Sequence, residues 1–389
     1  MSPTPGPAAD GEDTALRWPL ADDERDGQTA LFGVDEALTV ERGTGRMSGL
    51  EFLPVTAKRI LNEVPASSSM PFRWTINAYR GCSHRCAYCF ARPTHDYLGL
   101  GIGADFDRKI VVKVNAVDKL RAELRSPRWA GEGIAMGTNT DPYQRAEGKY
   151  RLTRGIVQAL GEAANPFSIL TKSALVLRDL DVLTAAAQRT QVNVSFSIGT
   201  LDERAWRATE PGAPHPQRRV DAIRTLTDAG IEVGVLIAPI LPGMSDSRAQ
   251  LTEVIDAVVD AGASSVTALA LHLRPGVREH FLRWLSTYDS ELHARYLAAY
   301  VDGSTIDAAY RQWLSATTRS IIDSAVRRRR ARPGAQLAIN EVDRAMRSPA
   351  IGPLSRTAHR GLPPPGRRTR TVGPAPGPDA TLLPLWGGG

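Results

Sequence analysis

The run YRGCSHRCAYCFAR, Tyr79–Arg92, holds every cysteine of this 389-residue chain: Cys82, Cys86 and Cys89, spaced C-x3-C-x2-C. A chain that uses three cysteines and puts all of them in one short run is arranging thiols to hold a metal. An odd number leaves one thiol outside any disulfide. Structural zinc takes four protein ligands, usually as two separated pairs. A cubane iron–sulfur cluster usually takes four thiolates. With no fourth cysteine, the last position falls to a histidine or stays open. A zinc site would recruit His84, which lies between the thiols and points poorly into a shared tetrahedron, or His95. An open-site [4Fe–4S] cluster fits the count, the compactness and the aromatic Tyr88 just before the last thiol.

Working outward, the composition is that of a soluble globular protein, with 42% apolar and 23% charged residues. No apolar run reaches the ~18 residues that span a bilayer, so no membrane is expected. The start, MSPTPGPAADGEDT, lacks a basic n-region and an apolar h-region. Metal-type cysteines argue for a reducing compartment, and a cytoplasmic location is expected. The net charge of +6 is a local effect: from Arg327 onward the chain carries twelve Arg and three acids. Such an end can attract nucleic acid electrostatically. The competing reading is a solvated arm, favoured because no aromatics interleave with the arginines as stacking platforms.

Residues 1–48 read as a mostly disordered acidic tail, and residues 331–389, rich in Arg, Pro and Gly, as a second. A short helix is expected over Pro54–Asn62, where apolar residues recur at helical spacing. Between the tails, short apolar runs alternate with amphipathic stretches. The runs are Trp74–Tyr79, Ile134–Thr138, Phe167–Thr171, Val192–Ile198, Val233–Ile240 and Val266–Leu271. They read as buried parallel strands. Helices are expected over Val114–Leu124, Arg154–Ala163, Asp179–Gln188, Pro216–Ala229 and Gln250–Ala261. Gly230 and Gly262 close two of them. Six alternating units imply an α/β fold with right-handed crossovers, either a doubly wound sheet or a barrel. Arg278–Trp284, Glu291–Tyr300 and Ile306–Arg330 read as further helices, the last ending in Arg residues that suit its dipole.

In α/β proteins ligands gather at the C-terminal ends of the strands. The cysteine loop follows the first strand and GTNTDPYQ (Gly137–Gln144) the second. Thr171, Lys172 and Ser173 end the third; Ser195, Ser197 and Thr200 lie in or after the fourth. Ala238–Gly243 ends the fifth, and His272 and Arg274 follow the sixth. Singly, such residues cap loops. As a set they point to a binding site. Gly99–Gly103 reads as a flexible loop, because it lacks the dinucleotide fingerprint. In EPGAPHPQRR (Glu210–Arg219), Arg218 or Arg219 either meets an anion or belongs to a solvated first turn.

The motif C-x3-C-x-aromatic-C, together with YRGCSHRCAYCFARPTHDYLG, GTNTDPYQ and TKSALVLRDLD in that order, resembles the radical S-adenosylmethionine (SAM) superfamily, and within it the spore photoproduct lyase-like branch. The resemblance covers roughly residues 50–300. It implies a partial (β/α)6 barrel over residues 49–300 with a helical extension over 301–330. It implies a [4Fe–4S] cluster on Cys82, Cys86 and Cys89, with SAM chelating the fourth iron. A reduced cluster then cleaves SAM to a 5′-deoxyadenosyl radical that abstracts hydrogen from a substrate. The electron comes from a partner such as flavodoxin or ferredoxin. For the SAM carboxylate, Lys172 and Ser195 are the candidates. For its ammonium they are Asn139 and Asp141, at the position of the family's GGE-like motif, which here reads TNTD. For adenine they are Tyr88 and the segment with Ala238 and Ile240. Spore photoproduct lyase uses an additional cysteine as hydrogen donor. This chain has none, which counts against lesion repair by that route; Tyr97 and Tyr143 are the substitutes that the sequence offers. The alternative class is a non-catalytic metal-binding or nucleic-acid-binding protein with the cluster as a staple. An open coordination site favours the enzyme, since structural sites are closed.

Overall fold

The computed structural model describes residues 40–332, apart from 67, 69 and 302. Its strands are β1 (Glu41–Arg42), β2 (Glu51–Val55), β3 (Leu61–Glu63), β4 (Trp74–Ile76), β5 (Tyr79–Arg80), β6 (Lys109–Lys113), β7 (Ile134–Met136), β8 (Phe167–Thr171), β9 (Val192–Ser197), β10 (Glu232–Ile240) and β11 (Ser265–Ala270). They form two sheets. One is four-stranded, ordered β1-β2-β6-β5; the other is seven-stranded, ordered β11-β10-β9-β8-β7-β4-β3.

In the large sheet β4, β7, β8, β9, β10 and β11 run parallel in chain order, and β3 adds an antiparallel edge. This is the partial barrel of six βα units that the family resemblance implied, where alternation alone also allowed a doubly wound sheet. The runs of β7 to β10 bury the face that carries Ile134, Phe167, Ile169, Val194, Phe196, Val233, Val235 and Ile237, all within 1% of full burial. Helices cover that face: Leu152–Glu162, Leu180–Ala187, Pro216–Asp228 and Arg248–Ala261. Their starts follow capping chemistry. Ser247 and Gln250 form a reciprocal capping box, and Pro216 opens its helix at the first turn. Beyond β11, helices Val277–Tyr288, Ser290–Ala299 and Ala308–Arg330 follow. The last lies along Arg248–Ala261, where Arg328 pairs with Asp256 and Arg329 donates to the Val259 carbonyl at that helix's end.

Three expectations need correction. The helix over Pro54–Asn62 does not form; its residues end β2 and begin β3. Its apolar spacing fits either period, and pairing decides. β2 pairs with β6 and β3 with β4, while Asn115 clamps both backbone groups of Ala57 and Glu123 accepts from Ile60 and Leu61. The first apolar run is two strands. Asn77 and Ala78 interrupt it, so that β4 joins the large sheet and β5 the small one. Part of the stretch read as an acidic tail, Glu41–Arg42, is β1; residues 1–39 and 333–389 lie outside the described residues. Among the described residues no helix is long and apolar enough to cross a membrane.

Candidate functional site

The cysteine loop leaves β5 through Gly81, whose φ of +78° and contact with the His95 ring leave no room for a side chain. The loop is stitched down from four directions. Thr140 Oγ1 and Gln144 Nε2 donate to the Gly81 carbonyl at 2.6 and 2.9 Å, and Gln144 Oε1 accepts from the Ser83 amide at 3.0 Å. The Cys82 amide donates to Phe106, and the Ala87 amide to Thr209. The Gly212 amide donates to the His84 carbonyl at 3.0 Å. Finally Arg92, 1% exposed, folds its guanidinium back onto the Cys86 carbonyl (2.9 and 3.1 Å) while reaching Ile102, Gly103 and Asp107. That grip also pins the stretch Gly99–Gly103 expected to be a flexible loop. Here Gly99 closes a 3-10 turn in the left-handed conformation and Gly101 donates to Asp105.

Beside the loop, at the ends of β8 and β9, lies a buried ion network. Lys172 Nζ donates to Ser197 Oγ at 2.7 Å, to Glu210 Oε1 at 2.9 Å and to the Tyr88 hydroxyl at 3.3 Å. Tyr88 also donates to Glu210 Oε1. Arg219 reaches the other Glu210 oxygen at 2.6 Å and the Ser197 and Pro214 carbonyls. Burial alone would raise the Glu210 carboxyl, yet Arg219 and Lys172 overrule it and hold the group well below the usual carboxylate range. Of the two readings of Glu210–Arg219, the structure buries Arg219 in the network and leaves Arg218 exposed.

The other sequence-predicted residues distribute as follows. Asp141, 9% exposed, accepts from Thr171 Oγ1, the Lys172 amide and the Tyr143 amide at 2.7–2.8 Å and faces His84 Nδ1 at 3.3 Å. It thereby ties the β7 loop, the β8 end and the cysteine loop together. Asn139 is exposed, its amide donating to Asn77. Ser195 lies deeper than Lys172 and donates to Asn193 at 3.0 Å; the hydroxyl that meets Lys172 is that of Ser197. The Ala238 carbonyl accepts from Ser197, and Ile240 is buried at the end of β10. Tyr97 and Tyr143 are not brought together: Tyr97 is 75% exposed and Tyr143 is 1% exposed, with burial and the Asp179 carboxylate raising its phenol. Sequence reasoning passed over Glu210, Arg92 and Gln144. The available signal was charge beside prolines and glycines, a turn that brings an acid back to a base.

The thiols of Cys82 and Cys86 are buried and Cys89 is half-buried, all three free. Burial pushes each of them up, and their mutual proximity pushes Cys82 and Cys86 further. As thiols they are stable; as thiolates they need positive charge supplied at the sulfur. Among the described residues no three His, Cys, Asp or Glu side chains form a ready metal cage. What fits a cluster is the donor chemistry: three thiols near enough to feel one another's charge, on a loop whose backbone is already satisfied.

A family model described as the radical SAM superfamily matches residues 76–255. An uncharacterized protein of Mycobacterium tuberculosis is 45% identical over 269 residues, covering 69% of this chain and 79% of that protein. The chain belongs to the radical SAM superfamily. Its fold is shared with spore photoproduct lyase complexed with dinucleoside spore photoproduct, at a TM-score of 0.52 and 17% identity, covering 70% of this chain and 79% of the other. A radical SAM Nα-GlyT isomerase of a Pseudomonas phage is 27% identical over 209 residues, covering 50% of this chain and 41% of that protein. The cofactors of this radical SAM chain are those of its family, a [4Fe–4S] cluster and SAM.

The packing around the loop makes one position decisive. A Cβ on Gly212 would stand 2.1 Å from the Ser83 carbonyl oxygen and 2.9 Å from that of His84. Gly212→Ala is expected to displace the cysteine loop while leaving the barrel folded. Iron bound after anaerobic reconstitution should fall severalfold, with an unchanged far-ultraviolet circular dichroism spectrum.

Proposed function

We propose that this enzyme holds its cluster through Cys82, Cys86 and Cys89 and uses SAM to take a hydrogen atom from an organic substrate. The observation that carries the reading is the gathering of three free thiols on one externally stitched loop, beside a buried cation pair at the strand ends. When bound and reduced, the cluster supplies one electron to the SAM sulfonium, whose cleavage gives the 5′-deoxyadenosyl radical that does the abstraction.

The protein's own part is binding, orientation and exclusion of water. Lys172, Arg219 and Glu210 together carry one net positive charge in a largely buried site. That leaves one negative charge to be matched there, and the SAM carboxylate supplies it. Lys172 has three donors and Ser197 already orients it; Ser195, deeper in the same strand, backs this pocket. Asn139, at the exposed end of the β7 loop, offers a carboxamide oxygen to the SAM ammonium, and Asp141 fixes that loop. Tyr88 and the segment of Ala238 and Ile240 wall the adenine. Tyr88 is held in place by Glu210 rather than free to transfer its proton, since burial and that carboxylate raise its phenol.

Radical SAM enzymes need an outside reductant, and a flavodoxin or ferredoxin is the partner we propose. The spore photoproduct lyase fold invites repair of a DNA photoproduct as a second reading, but with every cysteine in the loop no thiol is left over to return hydrogen. Tyr97 and Tyr143 would have to serve, one on the surface and one sealed in the core. We therefore read the substrate as outside that reaction. Residues 49–300 form the catalytic unit in this reading and residues 301–330 a helical extension.

The test is anaerobic reconstitution with iron and sulfide, reduction, and assay of 5′-deoxyadenosine beside electron paramagnetic resonance of the cluster. Cys86→Ala should lose both the cluster signal and SAM cleavage; a variant that keeps its iron and its cleavage overturns the ligand assignment. Lys172→Ala should keep the cluster and weaken SAM binding by about tenfold, the scale of one charge-assisted hydrogen bond. Equal affinity would remove Lys172 from the carboxylate site. Deleting residues 331–389 should leave SAM cleavage intact; a lowered nucleic-acid affinity with a shallower dependence on salt would assign the Arg-rich end a nucleic-acid contact. An unchanged salt slope removes the Arg-rich end as a nucleic-acid contact.

A further inference from the structure

The small sheet carries two cations that the site above does not use. Arg80 pairs across with Val111, and Lys113 stands two residues further along β6, so alternation puts Arg80, Val111 and Lys113 on one face. Leu53 and Val55 of β2 share that face, opposite Val111 and Lys113. With Leu98 and Leu100 these side chains form a second apolar cluster, separate from the main core. Lys113 is 1% exposed and Arg80 is half-buried. Among the described residues neither side chain makes a hydrogen bond or an ion pair.

A buried cation beside a half-buried one, with no carboxylate bonded to either, is out of balance, because buried charges are normally paired. Burial first, and Arg80 second, bring the Lys113 ammonium down to about 7. Glu123 partly offsets this, but its carboxylate is committed to the Ile60 and Leu61 amides. His95, which also senses Arg80, is held neutral by burial, at about 4, and brings no negative charge. Glu51 and Lys109 share this face too, but they stand opposite each other four residues along β6 from Lys113.

We infer that Arg80 and Lys113 form a binding site for a small oxyanion of the phosphate type. Arg80, at the more open end, presents a planar fork suited to two oxygens. Lys113, at the closed end, presents a point charge to a third. The surrounding Leu and Val side chains keep water from competing and so strengthen both contacts. The site also bears on the cysteine loop. Arg80 is the last residue of β5, followed directly by Gly81 and Cys82, so an anion that clamps Arg80 steadies the strand from which the loop departs.

The experiment uses the full iron-loaded chain, near neutral pH and about 0.15 M salt, where weak surface attraction is screened. Inorganic phosphate is titrated calorimetrically into wild type, Lys113→Met and Arg80→Gln, and thermal midpoints are recorded with and without phosphate. Lys113→Met keeps the buried volume, so a folded variant is obtained even if Arg80→Gln loosens the strand. The expected result is saturable one-to-one binding to wild type with a raised midpoint, and affinity lower by about tenfold or more in each variant. The inference is overturned if wild type shows no saturable binding, or if both variants bind phosphate as wild type does, which would assign the anion to the Arg-rich end of the chain.

Discussion

Burying thiols on an irregular loop is tolerable only when the loop's backbone groups find partners, since each orphaned amide or carbonyl in a dry environment costs on the order of 1–3 kcal/mol. The run Gly81–Arg92 contains little regular structure of its own. Its carbonyls and amides are satisfied instead by side chains and turns from elsewhere: Thr140 and Gln144 after β7, Gly212 after the helix Glu203–Thr209, and Arg92 from the loop's own end. The rest of the architecture serves this. The sheet sets where the β7 loop arrives, the crossover helices set where Gly212 passes, and Asp141 locks the loop after β7 to the end of β8 and to His84. Because these partners are fixed, the sulfur atoms are the free variables of the loop, which is what a cluster site requires.

The ion network beside the loop follows from the same economy of charge. Glu210 is almost completely buried, and a carboxylate there is tolerable only against cations. Two supply it, Lys172 from the end of β8 and Arg219 from the helix Pro216–Asp228. Neither is interchangeable with the other. Arg219 uses its fork to hold Ser197, Pro214 and Glu210 at once, so it organises backbone. Lys172 ends in a point charge with three donors, spent on Ser197, Tyr88 and Glu210, so it can trade one partner for an incoming anion. The network therefore separates a structural cation from an adaptable one, and it places the adaptable one at the strand ends.

Much of this was legible in the sequence, for identifiable reasons. Clustered cysteines announce themselves because nothing else in the chain competes with the pattern. Phe167–Thr171 and Val192–Ser197 are short apolar runs between amphipathic helices, and no other period fits them. Pro54–Asn62 was misread because its local spacing serves a helix as well as two strand ends, and contacts some sixty residues away, Asn115 and Glu123, decide between them. Glu210 and Gln144 went unremarked because their roles exist only across the fold. Glu210 meets Lys172 across 38 residues, and Gln144 meets Gly81 across 63. Lys113 was hidden inside a strand that reads as charged at both ends, KIVVK, with nothing to say that its second lysine is buried.

The large sheet has a second property that bears on the site, and it comes from what its strands leave out. The face turned from the helices carries Ser168 and Leu170 on β8, Asn193, Ser195 and Ser197 on β9, Gly234 and Leu236 on β10 and Ser265 and Thr267 on β11, aligned by register: Ser168 beside Asn193, Leu170 and Gly234 beside Ser195, Gly234 beside Ser265. A barrel that is only a scaffold fills this face with bulky branched side chains. Here only Leu170 and Leu236 are of that kind on β8 to β10; hydroxyls, a carboxamide and a glycine take the other positions, and the row reaches its limit of closeness at Gly234, where a single added carbon would stand 2.8 Å from Ser195 Oγ and 3.0 Å from Ser265 Oγ. Small polar residues at so many consecutive positions forgo apolar burial worth roughly 1.5–3 kcal/mol per large side chain. That sacrifice makes sense if the volume they leave is needed, and on β9 it lies directly below Ser197, beside the Leu170 that stands below Lys172. The helices and the outer face of the sheet carry the stability of the barrel, so that its inner face is free to be shaped by chemistry.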